Sequence, residues 1–210
     1  MNFFGHAVVA RQVDDDPAFL LGAMAPDLLA MCGAVAGAAT SPKVSAGQAH
    51  HLRVDARFHA APAFTALVAW AARTLVERGL PRGPARGAAH VGVELFLDGL
   101  LARDTEARAA YLHCLVEAEA TRAPFVWGDA LSERRWRQLV PRLREGTVPD
   151  AYRDPDFVAA RLVGALGRRP RLALTAGGAE VLRAFLPALE RRVAEALQAL
   201  SGALLWPATS

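Results

Sequence analysis

Residues Val91 to Leu101 form an apolar run broken only by Glu94 and Asp98. A buried carboxylate is costly unless it is paired or bound to a metal. This stretch therefore constrains the whole chain: whatever fold buries it must supply partners for two acids. A helix turns about 100° per residue, so a step of four drifts only about 40°. His90, Glu94 and Asp98, spaced by four, then share one face. His51, Asp55 and His59 repeat the device. Neighbours at this spacing lie about 5–6 Å apart at Cβ. Imidazole and carboxylate converging at that distance suit a divalent metal, and two such helices facing each other can close a site. The alternative for either triad is a solvated polar face with intrahelical pairs of only ~0.2–0.5 kcal/mol. A second triad at the same spacing weighs against it.

The remaining pattern is helical. Hydrophobic residues make up 53% of the 210-residue chain, which argues against disorder and provides one full core. Ala, Leu and Arg dominate and strand formers are sparse, so a single all-α domain, a helical bundle over residues 1–210, is expected. The metal-site helices fall within residues 1–105, and residues 106–210 form a helical C-terminal half. Helices are expected over Asn2–Ala10, Phe19–Leu29 and Val44–His59. Pro26 is expected to kink or end the second of these and to expose Asp27. Further helices are expected over Phe64–Arg78, from about Pro84 to Arg103, and over Thr105–Glu119. Ser132–Glu145, Asp156–Leu166 and Thr175–Leu200 complete the set. Asp14-Asp15-Asp16-Pro17 reads as a helix start. Gly33–Lys43 reads as a loop or short helix, Thr121–Ala130 as irregular and Gly146–Pro155 as loop.

Net charge is +3 and the isoelectric point about 9.4. Nearly all positive charge is Arg, Lys43 being the only lysine, and it is spread along the chain. No aromatic-and-basic motif for nucleic acid is present. The charge fits an arginine-biased composition or a face for an acidic partner. Cys32 and Cys114 lack the spacing of a disulfide framework or a thiolate zinc site and read as buried thiols. Pro17–Thr40 is apolar apart from Asp27, but mid-membrane Asp27 would cost several kcal/mol. The stretch therefore reads as core. With no signal-peptide pattern, a cytoplasmic location without a membrane span is expected.

Eight residues emerge as candidate metal ligands: His6, Asp27, His51, Asp55, His59, His90, Glu94 and Asp98. Eight donors exceed one closed site, which favours catalysis over a structural ion. His50, about 100° around the helix from His51, reads as a supporting or surface residue, and His113 as an ordinary helix histidine.

Four segments carry a resemblance. Met1-Asn2-Phe3-Phe4-Gly5-His6 is similar to the Met-Asn-Phe-Leu-Ala-His opening of the acyl-carrier-protein phosphodiesterases. Phe19–Asp27 resembles that family's Gly-Asn-x-x-x-Asp segment. Ala46-Gly47 with His51-x-x-x-Asp55, and then Pro62, resembles its Ala-Gly-x-x-x-His-x-x-Ile-Asp stretch and later Pro. Val93–Ala102 resembles its Leu-Asp-x-x-x-Asp-His-Phe-Leu helix. The likeness spans about the first 105 residues. It implies an HD-phosphohydrolase-like fold, a divalent ion (manganese, iron or zinc, one or two) and cleavage of a phosphodiester. The partner it implies is acyl carrier protein or another acidic bearer of a phosphodiester. In this chain the family's second Asp after the His-x-x-x-Asp pair is His59, its first Asp on the later helix is Glu94, and the His after its second Asp is Gly99. His90, one turn earlier, could offset the last change. Gly22-Ala23-Met24-Ala25-Pro26-Asp27 is also similar to a Gly-x-x-x-Pro-Asp segment of zinc-dependent phospholipase C proteins.

The expected mechanism is metal-assisted hydrolysis, in which the ion lowers the pKa of bound water and polarises a phosphoryl oxygen. Glu94 or Asp27 takes the water's proton, and Arg53 or Arg57 holds a phosphate oxygen. The competing expectation is a non-catalytic helical protein that holds a structural metal.

Overall fold

The computed structural model describes residues 1–120 and 124–204. The fold is all-α: among the described residues nine α-helices are joined by one short two-stranded ribbon. The chain divides into two compact units, each discontinuous in sequence.

Among the described residues the first unit comprises 1–57, 101–120, 124–148 and 204. It holds α1 (Phe3–Arg11), α2 (Pro17–Cys32), β1 (Ala36–Ala39) and most of α3 (Pro42–Ala60). α6 (Thr105–Ala120), β2 (Phe125–Trp127) and α7 (Ala130–Glu145) complete it. The Asp14–Pro17 signal works as the sequence suggests: Asp16 accepts a 2.8 Å hydrogen bond from the Ala18 amide, with Pro17 at the first turn. Lys43, the lone lysine, pairs with Asp14. Asp104 caps α6 and Asp129 caps α7 in the same way. The core gathers Phe3, Phe4 and Tyr111, whose rings meet at 5.9 and 5.4 Å. Cys114 is buried, as expected, whereas Cys32 is only partly so.

Three expectations are corrected here. Pro26 does not end α2. The helix continues to Cys32 and closes at Gly33, whose φ of 64° suits a residue without Cβ. The Gly33–Lys43 segment is neither loop nor helix throughout. Ala36–Ala39 pairs antiparallel with Phe125–Trp127, a partner about ninety residues away that local pattern does not reveal. That pairing also orders the later part of the expected irregular segment; its first residues, 121–123, lie outside the described residues.

The second unit comprises residues 58–100 and 149–203. It contains the end of α3, α4 (Pro62–Glu77), α5 (Arg82–Leu101, to Leu100), a 3-10 turn (Asp150–Arg153), α8 (Pro155–Gly167) and α9 (Ala176–Leu204, to Ala203). The 3-10 turn lies where a loop was expected. Leu182, Phe185, Leu189 and Val193 of α9 are buried, as their spacing predicts. Phe185 packs on Trp70 of α4 at 5.5 Å, and the Arg192 guanidinium lies 4.8 Å over the same indole. α5 is buried along most of its length, including Glu94 and Asp98.

Candidate metal centre

In the first unit the site begins with a close backbone contact. A Cβ on Gly22 would lie 2.1 Å from the Val44 carbonyl oxygen, and one on Gly47 2.2 Å from that of Phe19. Only glycine at both positions lets α2 and α3 approach this far. One turn beyond Gly47, His51 Nδ1 then comes within 2.8 Å of the Ala23 carbonyl oxygen. A carbonyl only accepts, so Nδ1 carries the proton and the ring lone pair lies on Nε2.

His6 stacks on that ring, with centroids 3.8 Å apart and planes at 29°. It is fully buried on the apolar helix α1, and neither of its ring nitrogens makes a hydrogen bond among the described residues. An unmet buried nitrogen costs about 1–3 kcal/mol, so the site fits a ligand that uses it. Burial pushes the His6 pKa down to about 4, and the charge of His51 adds to this, against an opposing pull from Asp55. The imidazole is therefore neutral at pH 7, the form that ligates metals. Its Nε2 lies 3.4 Å from Asp55 Oδ1 and 3.8 Å from Asp27 Oδ2, contacts too long for good hydrogen bonds. The Met1 amino group lies 3.2 Å from the same Asp55 oxygen. His6, Asp27 and His51 each offer a donor atom within 4.8 Å of the others, so this group could hold a metal ion.

His50 is buried too, against the Phe19 ring at 5.4 Å, so it is not a surface residue. Burial, then the charges of Arg53 and His51, push its pKa down to about 4. Arg53 and Arg57 are exposed on α3. His113 is exposed and lies 3.7 Å from Glu117 on its own helix, as an ordinary helix histidine would.

The second unit carries its own group: His59, His90 and Glu94, again within 4.8 Å of one another. Glu94 Oε1 accepts from His59 Nε2 at 2.8 Å and lies 3.1 Å from His90 Nε2. The rings of the two histidines lie 4.8 Å apart, and His90 meets Phe64 edge-on at 5.2 Å. Burial raises the Glu94 pKa, but the charge of the terminal amino group, then hydrogen bonds to both imidazoles, outweigh this and hold it below the usual carboxylate range. Glu94 is therefore an anion and a poor proton acceptor.

These groupings differ from those of the four-residue spacing. The face shared by His51, Asp55 and His59 is divided: His51 meets His6 and Asp27, while His59 meets His90 and Glu94. Asp55 reaches His6, and Asp98 is fully buried on α5. Gly99, where the resembling family has His, is explained by packing. A Cβ there would lie 2.6 Å from the Tyr152 carbonyl carbon and 2.8 Å from the Arg153 amide, so no side chain fits. Sequence reasoning did not find the Ala23 carbonyl or the Gly22–Gly47 contact. The glycines themselves were the available signal, since each interrupts an otherwise helix-favouring segment.

No family model, curated protein or solved structure matches this chain. Two features place it in a class: an all-α fold and His/Asp/Glu groups that could hold metal. Among the described residues no helix is long and apolar enough to cross a membrane.

Proposed function

We propose that the protein is a metal-dependent hydrolase acting on a phosphodiester. The observation that carries this reading is His6: a fully buried, neutral imidazole with no hydrogen bond among the described residues, stacked on the His51 ring and within 4.8 Å, donor to donor, of His51 and Asp27. Asp27 completes a His/His/carboxylate set that suits zinc, iron or manganese. Its carboxylate and that of Asp55 are only half-buried, at 27% and 31% exposure. Solvent and substrate therefore reach the site, as catalysis requires and a closed structural site does not.

A divalent ion there supplies Lewis acidity towards water and a phosphoryl oxygen. The protein's own residues do the rest. His6 and His51 present fixed, neutral nitrogens. Whichever of Asp27 and Asp55 is not holding the ion takes the proton of the attacking water, since Glu94 is occupied by two imidazoles. Arg53 and Arg57, exposed on the same helix as His51 and Asp55, bind the phosphate oxygens. His59, His90 and Glu94 hold a second ion.

The likeness to acyl-carrier-protein phosphodiesterases makes holo-acyl carrier protein the first substrate to try. The phospholipase C likeness is favoured by one observation: its Gly22–Asp27 segment supplies both the close-packed Gly22 and the ligand Asp27. The test is metal analysis of untagged protein reconstituted with manganese, iron or zinc, followed by assays on an aryl phosphodiester and on holo-acyl carrier protein. Bound ion and turnover are expected, and both are lost in His51→Ala and Asp27→Asn. Turnover on the aryl ester alone keeps the reaction and discards acyl carrier protein. Bound ion without turnover favours a non-catalytic metal protein, and no ion after reconstitution overturns the reading.

A further inference from the structure

Beside the second histidine group a groove of about 430 Å³ runs between α4 and α5. Its lining is part polar and part apolar. His59 and His90 face it beside Phe64 at the start of α4, and Val68, Ala69 and Ala72 of α4 wall it further along that helix. Arg86, one turn before His90 and exposed, lines it too, on the side towards Val68, because α4 and α5 are joined by a tight turn and run antiparallel. Val68 and Ala72 recur at helical spacing, so they point the same way from α4. Their small size leaves the space open, and Phe64 closes the floor while holding the His90 ring edge-on. The volume lies within the range of small-molecule sites, and an apolar wall with a few convergent polar groups is what such sites share.

We infer that this groove binds a phosphate ester through its apolar substituent, with the anionic phosphate at the His59/His90 end and the chain along Val68, Ala69 and Ala72. The proposal rests on the reading of His59, His90 and Glu94 as an ion site. An ion there outweighs Glu94 and makes the His59/His90 end net positive, with Arg86 adding positive charge along the groove, and so selects an anion. The apolar wall adds chain-length selectivity, because each methylene removed from water contributes additively. The class assigned is a phosphate ester with an aliphatic or aryl arm rather than a sugar or nucleotide, for which the wall offers no hydrogen-bonding side chain beyond Thr65 at its edge.

The experiment is calorimetric titration of the metal-reconstituted protein with ethyl, hexyl and decyl phosphate, each below its aggregation concentration. Affinity is expected to rise along the series, by up to about fourfold per methylene while the chain stays in the groove. Ala69→Phe, at an exposed position where folding is not at risk, fills the groove and should flatten the series while sparing ethyl phosphate. Ala72→Leu should do the same to a smaller extent. Arg86→Gln should weaken all three ligands alike. Equal affinity for all three in the wild type overturns the proposal, as does an unchanged series in both alanine variants. The aryl phosphodiester assay runs in parallel. Chain-length dependence without hydrolysis leaves the groove standing and removes the hydrolase reading, while hydrolysis without chain-length dependence does the reverse.

Discussion

The two histidine–carboxylate groups use the same donors with opposite burial. In the first unit the imidazole is buried and the acid half-exposed: His6 is at 0% and Asp27 at 27%. In the second the acid is buried and the imidazoles half-exposed: Glu94 is at 11%, His59 at 30% and His90 at 41%. Burial disfavours whichever form is charged. In the first unit it drives His6 neutral, and among the described residues its nitrogens make no hydrogen bond. In the second it would drive Glu94 neutral too, but nearby positive charge and two imidazoles bonded to one oxygen reverse the outcome. The first arrangement is a set that could hold a cation. The second is already a connected network, and an ion could enter it only by displacing protons from the imidazoles.

The comparison can be broken on one side at a time. The largest effect is expected from Gly47→Ala, because backbone atoms of α2 occupy the space its Cβ needs. A stability loss of about 3 kcal/mol or more is expected by urea titration, together with loss of the first unit's ion. Retention of the ion at His59, His90 and Glu94 would show that the two groups are built separately. A wild-type midpoint would mean that the helices can part without cost.

Next in size is a pH effect on metal-free protein. The His6 pKa falls from 6.5 to about 4 on folding. Between these values the unfolded chain binds more protons than the folded one, so stability rises with pH across that window and is lost as pH falls through it. The shift corresponds to about 3 kcal/mol, and His6→Phe should roughly halve the slope over that window, His50, lowered to the same value, supplying the rest. Glu94 acts in its own range: its lowered pKa contributes stability above the ordinary carboxylate range, which is lost as pH falls through the folded value. A slope between pH 4 and 6.5 that is undiminished in His6→Phe would assign it elsewhere.

Glu94→Gln should follow, at about 1–3 kcal/mol, since it exchanges a buried carboxylate's charge-assisted hydrogen bonds to two imidazoles for weaker neutral ones. Asp27→Asn is the smallest in stability, about 0.5 kcal/mol or less in metal-free protein, because the acid is half in water. Its effect on metal content should nevertheless be large. If the two substitutions cost the same in metal-free protein, the contrast in burial has no energetic meaning.

Much of the architecture was legible in the sequence. Helices were expected within a few residues of where they lie, because apolar period, caps such as Asp16, Asp104 and Asp129, and proline positions act locally. Glu94 and Asp98 announced buried acids by interrupting an apolar run. The ribbon was not legible, since Ala36–Ala39 carries little strand propensity and is held by a distant partner. Pro26 misled because a helix tolerates proline where neighbouring structure supports it.

The chain's local order therefore determined that the protein is helical and which side chains are capable of binding metal. Which of them meet was decided by tertiary structure. Four-residue spacing places His51, Asp55 and His59 on one face, but a face does not select a partner. His51 is claimed by His6 and Asp27 because two glycines let α2 and α3 touch backbone to backbone. His59 is claimed by His90 and Glu94 because the end of α3 packs with α5. Both outcomes depend on contacts between segments distant in sequence, and a periodic pattern carries no information about those.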